Sequence, residues 1–193
     1  MALLRTSAPA TAPVSLSEAK AHCRIDTEEE DGLIGALIEA ATAHVERHTG
    51  LALITQGWSI FRDSWPATWF VDLPLSPVQS VDAVTIYDPA GSATAFDGQH
   101  YLLDAASSPP RLVRHGTMPW PKPGRRANGI EIAVTLGYGD TGEDVPGPVR
   151  QALLQLVAHW HEGREPVSPA GQTGAPLPGI VEGLLAPYRR VRL

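Results

Sequence analysis

The sequence predicts an α+β protein: a helical core of about four helices, an inserted small antiparallel β domain and an extended C-terminal tail. Three observations predict it. The 18 prolines and 18 glycines of this 193-residue chain are sparse from Leu16 to Gln56, dense between Ser64 and Gly147, and dense again from Pro166 to Gly179. Apolar residues recur at helical spacing before Gly50 and after Pro148, but alternate in between. No helical run interrupts the alternating region, so its strands are expected to pair antiparallel, without crossover helices. The expected division is a flexible N-terminal arm over 1–14, the first part of the helical core over 15–50 and a β-rich insertion over 51–144. The second part of the core follows over 145–165. A Pro/Gly-rich linker, short helix and basic tail occupy 166–193.

The first helix starts at Ser15-Leu-Ser-Glu18, a capping box in which Ser15 and Glu18 satisfy each other's backbone N–H groups. Leu16, Ala19 and Cys23 then share a face. A second box is expected at Thr27-Glu-Glu-Glu30, with Glu28 to Asp31 complementing the positive end of a helix dipole. Leu33, Ile34, Leu37, Ile38, Ala41 and Val45 form the stripe of that second helix, and Gly50 ends it. Beyond Gly50 the period becomes two. Gln56, Trp58, Ile60 and Arg62 face one way, and short β runs follow near 69–73, 81–87, 101–104 and 111–114. The strictest alternation is Ile130, Ile132, Val134 and Leu136, between Gly129 and Gly137. Asp88-Pro-Ala-Gly91 reads as a turn. Helix returns after Pro148, a residue tolerated in a first turn, with Val149, Leu153, Leu156, Val157 and Trp160 on one side. Ile180, Val181, Leu184 and Leu185 make a last short helix, ended by Pro187.

Composition excludes several classes. Hydrophobic residues make up 43% of the chain and charged residues 19%, the profile of a soluble globular protein. No apolar run approaches the length of a membrane span or a signal-peptide core. Cys23 is the single cysteine, so no internal disulfide forms, which fits assembly in a reducing cytosol. A net charge of −6 opposes tight wrapping of nucleic acid, yet suits a wall past which DNA slides.

No catalytic, cofactor or metal site is expected. His159 and His161 are two apart and point to different sides of a helix, unlike His-Glu-x-x-His. His44 and His48, at i and i+4, share a face but lack a third ligand at matching spacing. Cys23 lies in the apolar phase of its helix, where a thiol is inert. No phosphate loop, nucleophile elbow or spaced carboxylate pair is present. Two segments read instead as contact surface. Arg189, Arg190 and Arg192 alternate with Val191 and Leu193, as in a strand added to a partner's edge. The loop from Trp120 to Arg126 sets Lys122, Arg125 and Arg126 beside an aromatic ring, suited to DNA or to a neighbouring subunit.

The ordered set of segments resembles the head–tail connector (adaptor) proteins of long-tailed bacteriophages, prophages and gene transfer agents. The matching pieces are Leu16-Ser-Glu-Ala-Lys20, Arg24-Ile-Asp26, Asp31 to Ile38, Val45-Glu46, Thr49-Gly50, Ala52-Leu-Ile-Thr-Gln56 with Trp58, and Leu73-Pro-Leu75. They continue through Pro77-Val78, Ser80-Val81, Gly137-Tyr-Gly139, Val145-Pro146, Val149 to Leu154, Arg164-Glu165 and Leu184-Leu185 with Pro187-Tyr-Arg189. The likeness runs from about residue 14 to the end. Cys23, in place of a larger aliphatic residue, Leu51, in place of a basic one, and the long Pro/Gly stretch depart from it. The resemblance implies a structural, non-enzymatic subunit of a phage-like neck, assembled in the bacterial cytoplasm as a twelvefold ring under the portal protein. A tail-proximal stopper would lie on its other face and non-specific DNA would pass through its lumen, with no membrane partner. Leu184, Leu185, Pro187, Tyr188, Arg189, Arg190, Val191, Arg192 and Leu193 are the expected portal-binding segment. The alternatives are a metal-dependent hydrolase of such a particle, using His44, His48, His159 or His161, or another neck component such as a stopper or tail-completion protein.

Overall fold

The computed structural model describes residues 1–163 and 179–189. It contains two compact units. A β unit comprises Met1–Ala10 and Thr55–Tyr138, and a helical unit comprises Thr11–Ile54 and Gly139–Leu193. The α+β class is borne out, with antiparallel sheets between two helical segments.

The β unit has eight strands: β1 (Ala2–Ser7), β2 (Gln56–Arg62), β3 (Phe70–Asp72), β4 (Val78–Tyr87), β5 (Ala93–Phe96), β6 (Tyr101–Asp104), β7 (Arg111–Arg114) and β8 (Ile130–Leu136). They form a five-stranded sheet in the order β1-β2-β8-β4-β5 and a three-stranded sheet in the order β3-β7-β6. The strict alternation of β8 makes it the central strand. Ile130, Ile132, Val134 and Leu136 are all buried, and Ile132 lies in register between Ile60 of β2 and Val84 of β4. Such a side chain has neighbours on both sides and one dry face, which is where β-branched residues pack best. The smaller sheet does the same with Val71 opposite Leu112, both nearly inaccessible.

Two strands were not expected. Residues 2–7, predicted as a flexible arm, pair with β2 from Ala2↔Phe61 to Ser7↔Gly57. Every β1 side chain is exposed, so no buried period marks it in the sequence; backbone pairing makes this strand. The short, polar β5 exists because its turn forms. Gly91 takes φ +89, its N–H donates to the Asp88 carbonyl at 3.0 Å, and the Asp88 side chain accepts from Ser92 N–H at 2.8 Å.

The helical unit contains α1 (Leu16–Cys23), α2 (Asp31–Thr49), α3 (Gly147–Glu162) and α4 (Gly179–Leu185). The first capping box forms as expected: Glu18 N–H donates to Ser15 Oγ at 3.2 Å and Ser15 N–H to Glu18 Oε2 at 2.8 Å. Replacing Ser15 by alanine removes the Oγ acceptor and leaves the Glu18 N–H uncapped, while the backbone N–H at position 15 keeps its carboxylate partner. Ser15→Ala is expected to cost about 1 kcal/mol in urea unfolding. The second box does not form. The α2 N-cap is Glu30, with no side-chain cap. Its carboxylate instead meets His161 Nε2 of α3 at 2.8 Å, while Asp31 pairs with Lys20 at 2.5 Å. Tertiary contacts have claimed the acidic turn that the sequence assigned to local capping.

The stripes of α2 and α3 pack on each other, and α4 packs on α3. Ile34, Ile38, Ala41 and Val45 face Val149, Ala152, Leu153, Leu156 and Val157 in the core of this unit. Leu33 is 40% exposed and lies off the stripe. Gly50 ends α2 at φ 76, a left-handed conformation that favours glycine, and Leu51–Ile54, which follow, are buried. Among the described residues no helix is long and apolar enough to cross a membrane.

Candidate assembly surfaces

In the β unit, the 120–126 loop is fastened at three points. Trp120 stacks on Trp65 with ring centroids 4.3 Å apart and planes at 10°. Each indole also donates to the other's segment, Trp65 Nε1–H to the Pro121 carbonyl at 2.8 Å and Trp120 Nε1–H to the Thr68 carbonyl at 3.1 Å. Gly124 N–H donates to the Tyr87 carbonyl at 2.8 Å. The Arg125 guanidinium lies 4.0 Å over the Tyr87 ring and its Nε–H donates to the Asn128 carbonyl at 2.8 Å. Below it Tyr87 OH donates to Glu131 at 2.5 Å, and Ser59 Oγ–H to the same carboxylate at 2.6 Å. The Glu131 bond, and burial after it, push the Tyr87 hydroxyl above its usual range. The four residues expected to make one contact patch therefore separate. Trp120 and Arg125 hold the loop down, whereas Lys122 and Arg126 stay exposed.

At the other end of the chain, α4 is an anchor. Val181 and Leu185 are fully buried and Ile180 is 60% exposed. Leu184 and Tyr188 are half-buried, and Pro187 and Arg189 are exposed. Leu185 thus belongs to the core of the helical unit, and the accessible part of the expected portal segment begins beyond it. Arg190, Val191, Arg192 and Leu193 lie outside the described residues.

The histidines do not assemble a metal centre. His44 and His48 share a face as their spacing required, but stack with centroids 6.2 Å apart, and Trp160 meets His44 edge-on. Burial, and after it the Arg189 charge, holds His48 below the ordinary imidazole range. His159 is exposed and His161 is engaged with Glu30. Among the described residues no group of three potential ligands converges. Cys23 is half-buried, and burial followed by the Glu162 charge pushes its thiol up, away from the reactive thiolate.

Sequence reasoning missed a second exposed surface, on the three-stranded sheet. Phe70, Val113 and Leu102 lie side by side in register, Trp69 is 54% exposed beside Phe70, and Arg111 lies 5.0 Å over the Phe70 ring. The signal was the alternation of Phe70 with Asp72 and of Arg111 with Val113, which puts apolar and charged groups on one face. Arg111 is held there by Asp104, 2.6 Å away. Hydrogen bonds from Ser107 first, and from Arg111 next, lower the Asp104 carboxyl to about 2. A depressed carboxylate stabilises the fold above its unfolded pKa and loses that contribution as pH falls through its folded value. Asp104→Asn should accordingly flatten the acid limb of the stability profile between about pH 4 and pH 2, measured by urea unfolding at a series of pH values.

Comparison with known proteins agrees with the resemblance read from the residues. Residues 13–92 match the sequence model of the phage gp6-like head-tail connector protein family. No curated protein matches the chain. Among solved structures, a chain from the neck of an empty GTA particle computed with C6 symmetry is 29% identical with a TM-score of 0.83. A chain from the virion of a native gene transfer agent particle is 27% identical with a TM-score of 0.84. Another, from the neck of a native GTA particle computed with C12 symmetry, is 27% identical with a TM-score of 0.81. Each match covers 100% of this chain and 97% of the other. The resemblance read from the residues is borne out: a head–tail connector family and gene transfer agent particle chains are what this chain is similar to.

Proposed function

From a chain that matches a head–tail connector family at its start and particle-neck chains over its whole length, we propose that this protein is the adaptor subunit of a phage-like particle. It forms a ring between portal and tail, and DNA passes through the lumen. The carrying observation is the end-to-end likeness, at 27–29% identity, to chains from gene transfer agent particles, two of them described as necks. The fold supports it by placing the protein's excess charge in one unit. The helical unit holds eight Lys and Arg against fourteen Asp and Glu, a net of −6, and the β unit seven against seven. A helical unit of that charge repels phosphates, so a duplex slides past without sticking.

The portal contact is made by the segment leaving the core after Leu185, with Pro187, Tyr188 and Arg189 leading into Arg190, Val191, Arg192 and Leu193. Buried Leu185 fixes its origin. The opposite side of the ring receives the stopper. A chain ending at Arg189 keeps every buried residue named above. It should unfold at the native temperature, fail to co-sediment with portal rings, and leave filled heads without tails in electron micrographs. Tailed particles at normal yield from that variant would overturn the portal assignment.

A further inference from the structure

Strand β1 is ordered without burying any of its side chains. Fixing six residues costs conformational entropy, which side-chain burial ordinarily offsets. Leu3 is 40% exposed, Leu4 57% and the preceding Met1 66%. β1 is also the outermost strand of its sheet, with one backbone edge bonded to β2 and the other open. Natural edges are protected by lysine, proline, inward charges or bulges. Here Ala2 to Arg5 run in unbroken register with β2, and the irregularity falls only between Arg5 and Ser7.

The opposite edge of the sheet is open as well. It is β5, whose four residues Ala93–Phe96 pair with β4 on one side only. Following the register across the sheet, Leu3 lies on the face of Ile60, Ile132, Val84 and Phe96, and Leu4 on the face of Ser59, Ala133, Ala83 and Ala95. The uninterrupted part of β1, Ala2 to Arg5, matches β5 in length, four residues against four. They also match in chemistry. Leu3 would continue the row ending in Phe96, and Leu4 would lie over the small side chains of Ala93 and Ala95.

We propose that β1 of one copy adds to β5 of the next, so that the five-stranded sheet continues from subunit to subunit. This rests on the ring reading above. A purely cyclic ring contains only heterologous contacts, which demands two different, complementary surfaces on each copy. β1 paired with its own equivalent would be two-fold and would stop at a dimer. Four antiparallel steps separate β1 from β5, so they run in the same direction and the joint is a parallel pair.

Cysteine cross-linking in assembled necks tests the proposal. In a Cys23→Ser background, Leu4→Cys combined with Ala93→Cys or Ala95→Cys should give, on oxidation, a denaturant-resistant ladder from dimer upward. The single variants should give none. Self-cross-linking of Leu4→Cys alone, or intact rings without a ladder in either double variant, would refute the edge pairing. As a second arm, Leu3→Asp with Leu4→Asp should retain the native circular dichroism spectrum yet lower ring yield in sedimentation at least tenfold; rings at native yield would again refute it. A native chain that forms no ring in particles would instead remove the adaptor reading itself.

Discussion

Leu156→Ala should destabilise the helical unit by about 2–5 kcal/mol, the range for deleting a fully buried leucine side chain. Leu156 is inaccessible on α3, the helix against which both α2 and α4 pack. Its removal opens a cavity between helices held by their own hydrogen bonds, so the space cannot close by collapse. For a chain of this length the loss corresponds to a fall in melting temperature of roughly 5–15 °C. Thermal unfolding followed at 222 nm measures it. Leu33→Ala is the control: Leu33 is 40% exposed on α2, so the same kind of truncation should change stability by no more than about 0.5 kcal/mol. Equal losses from the two substitutions would contradict the packing described.

Gly124→Val should detach the 120–126 loop. A Cβ at Gly124 would lie 2.7 Å from Asp88 Cα and 2.8 Å from its carbonyl carbon, both backbone atoms of the β4–β5 turn. Neither can yield as a flexible side chain does. The loop must lift, losing the Gly124 hydrogen bond and the Arg125 stack on Tyr87. Overpacking alone costs about 1–3 kcal/mol, and the exciton coupling of the Trp65–Trp120 pair should fall in near-ultraviolet circular dichroism. Arg126→Ala, at an exposed position in the same loop, should change neither quantity. An unaltered tryptophan signal in Gly124→Val would show that the loop is held by its ends and not by its seat on β4.

How much of this was legible depended on whether a residue's partner was near it in sequence. The Ser15–Glu18 box formed as read, because both groups lie within one helical turn. The Thr27–Glu30 box, written in the same residue types, did not, because His161 offered the Glu30 carboxylate a partner that no local pattern reveals. The strand β8 was evident from alternation, since one of its faces is dry. β1 was invisible, since both of its faces are wet. The 120–126 loop was singled out by composition, yet composition made Trp120 and Arg125 equivalent to Lys122 and Arg126. Only Trp65 and Tyr87, 55 and 38 residues upstream, show that the first two are fasteners.

The sequence alone determined the α+β class, the positions of the four helices and six of the eight strands, and the resemblance to head–tail connectors. These follow from periodicity, caps and the order of segments, all local properties of the chain. Tertiary structure decided which acidic groups are paired, where the C-terminal segment leaves the core, and that the first residues close one side of a sheet while leaving its edge open. Those features depend on which distant groups share a dielectric boundary or a backbone hydrogen bond, and one-dimensional patterning carries no record of that.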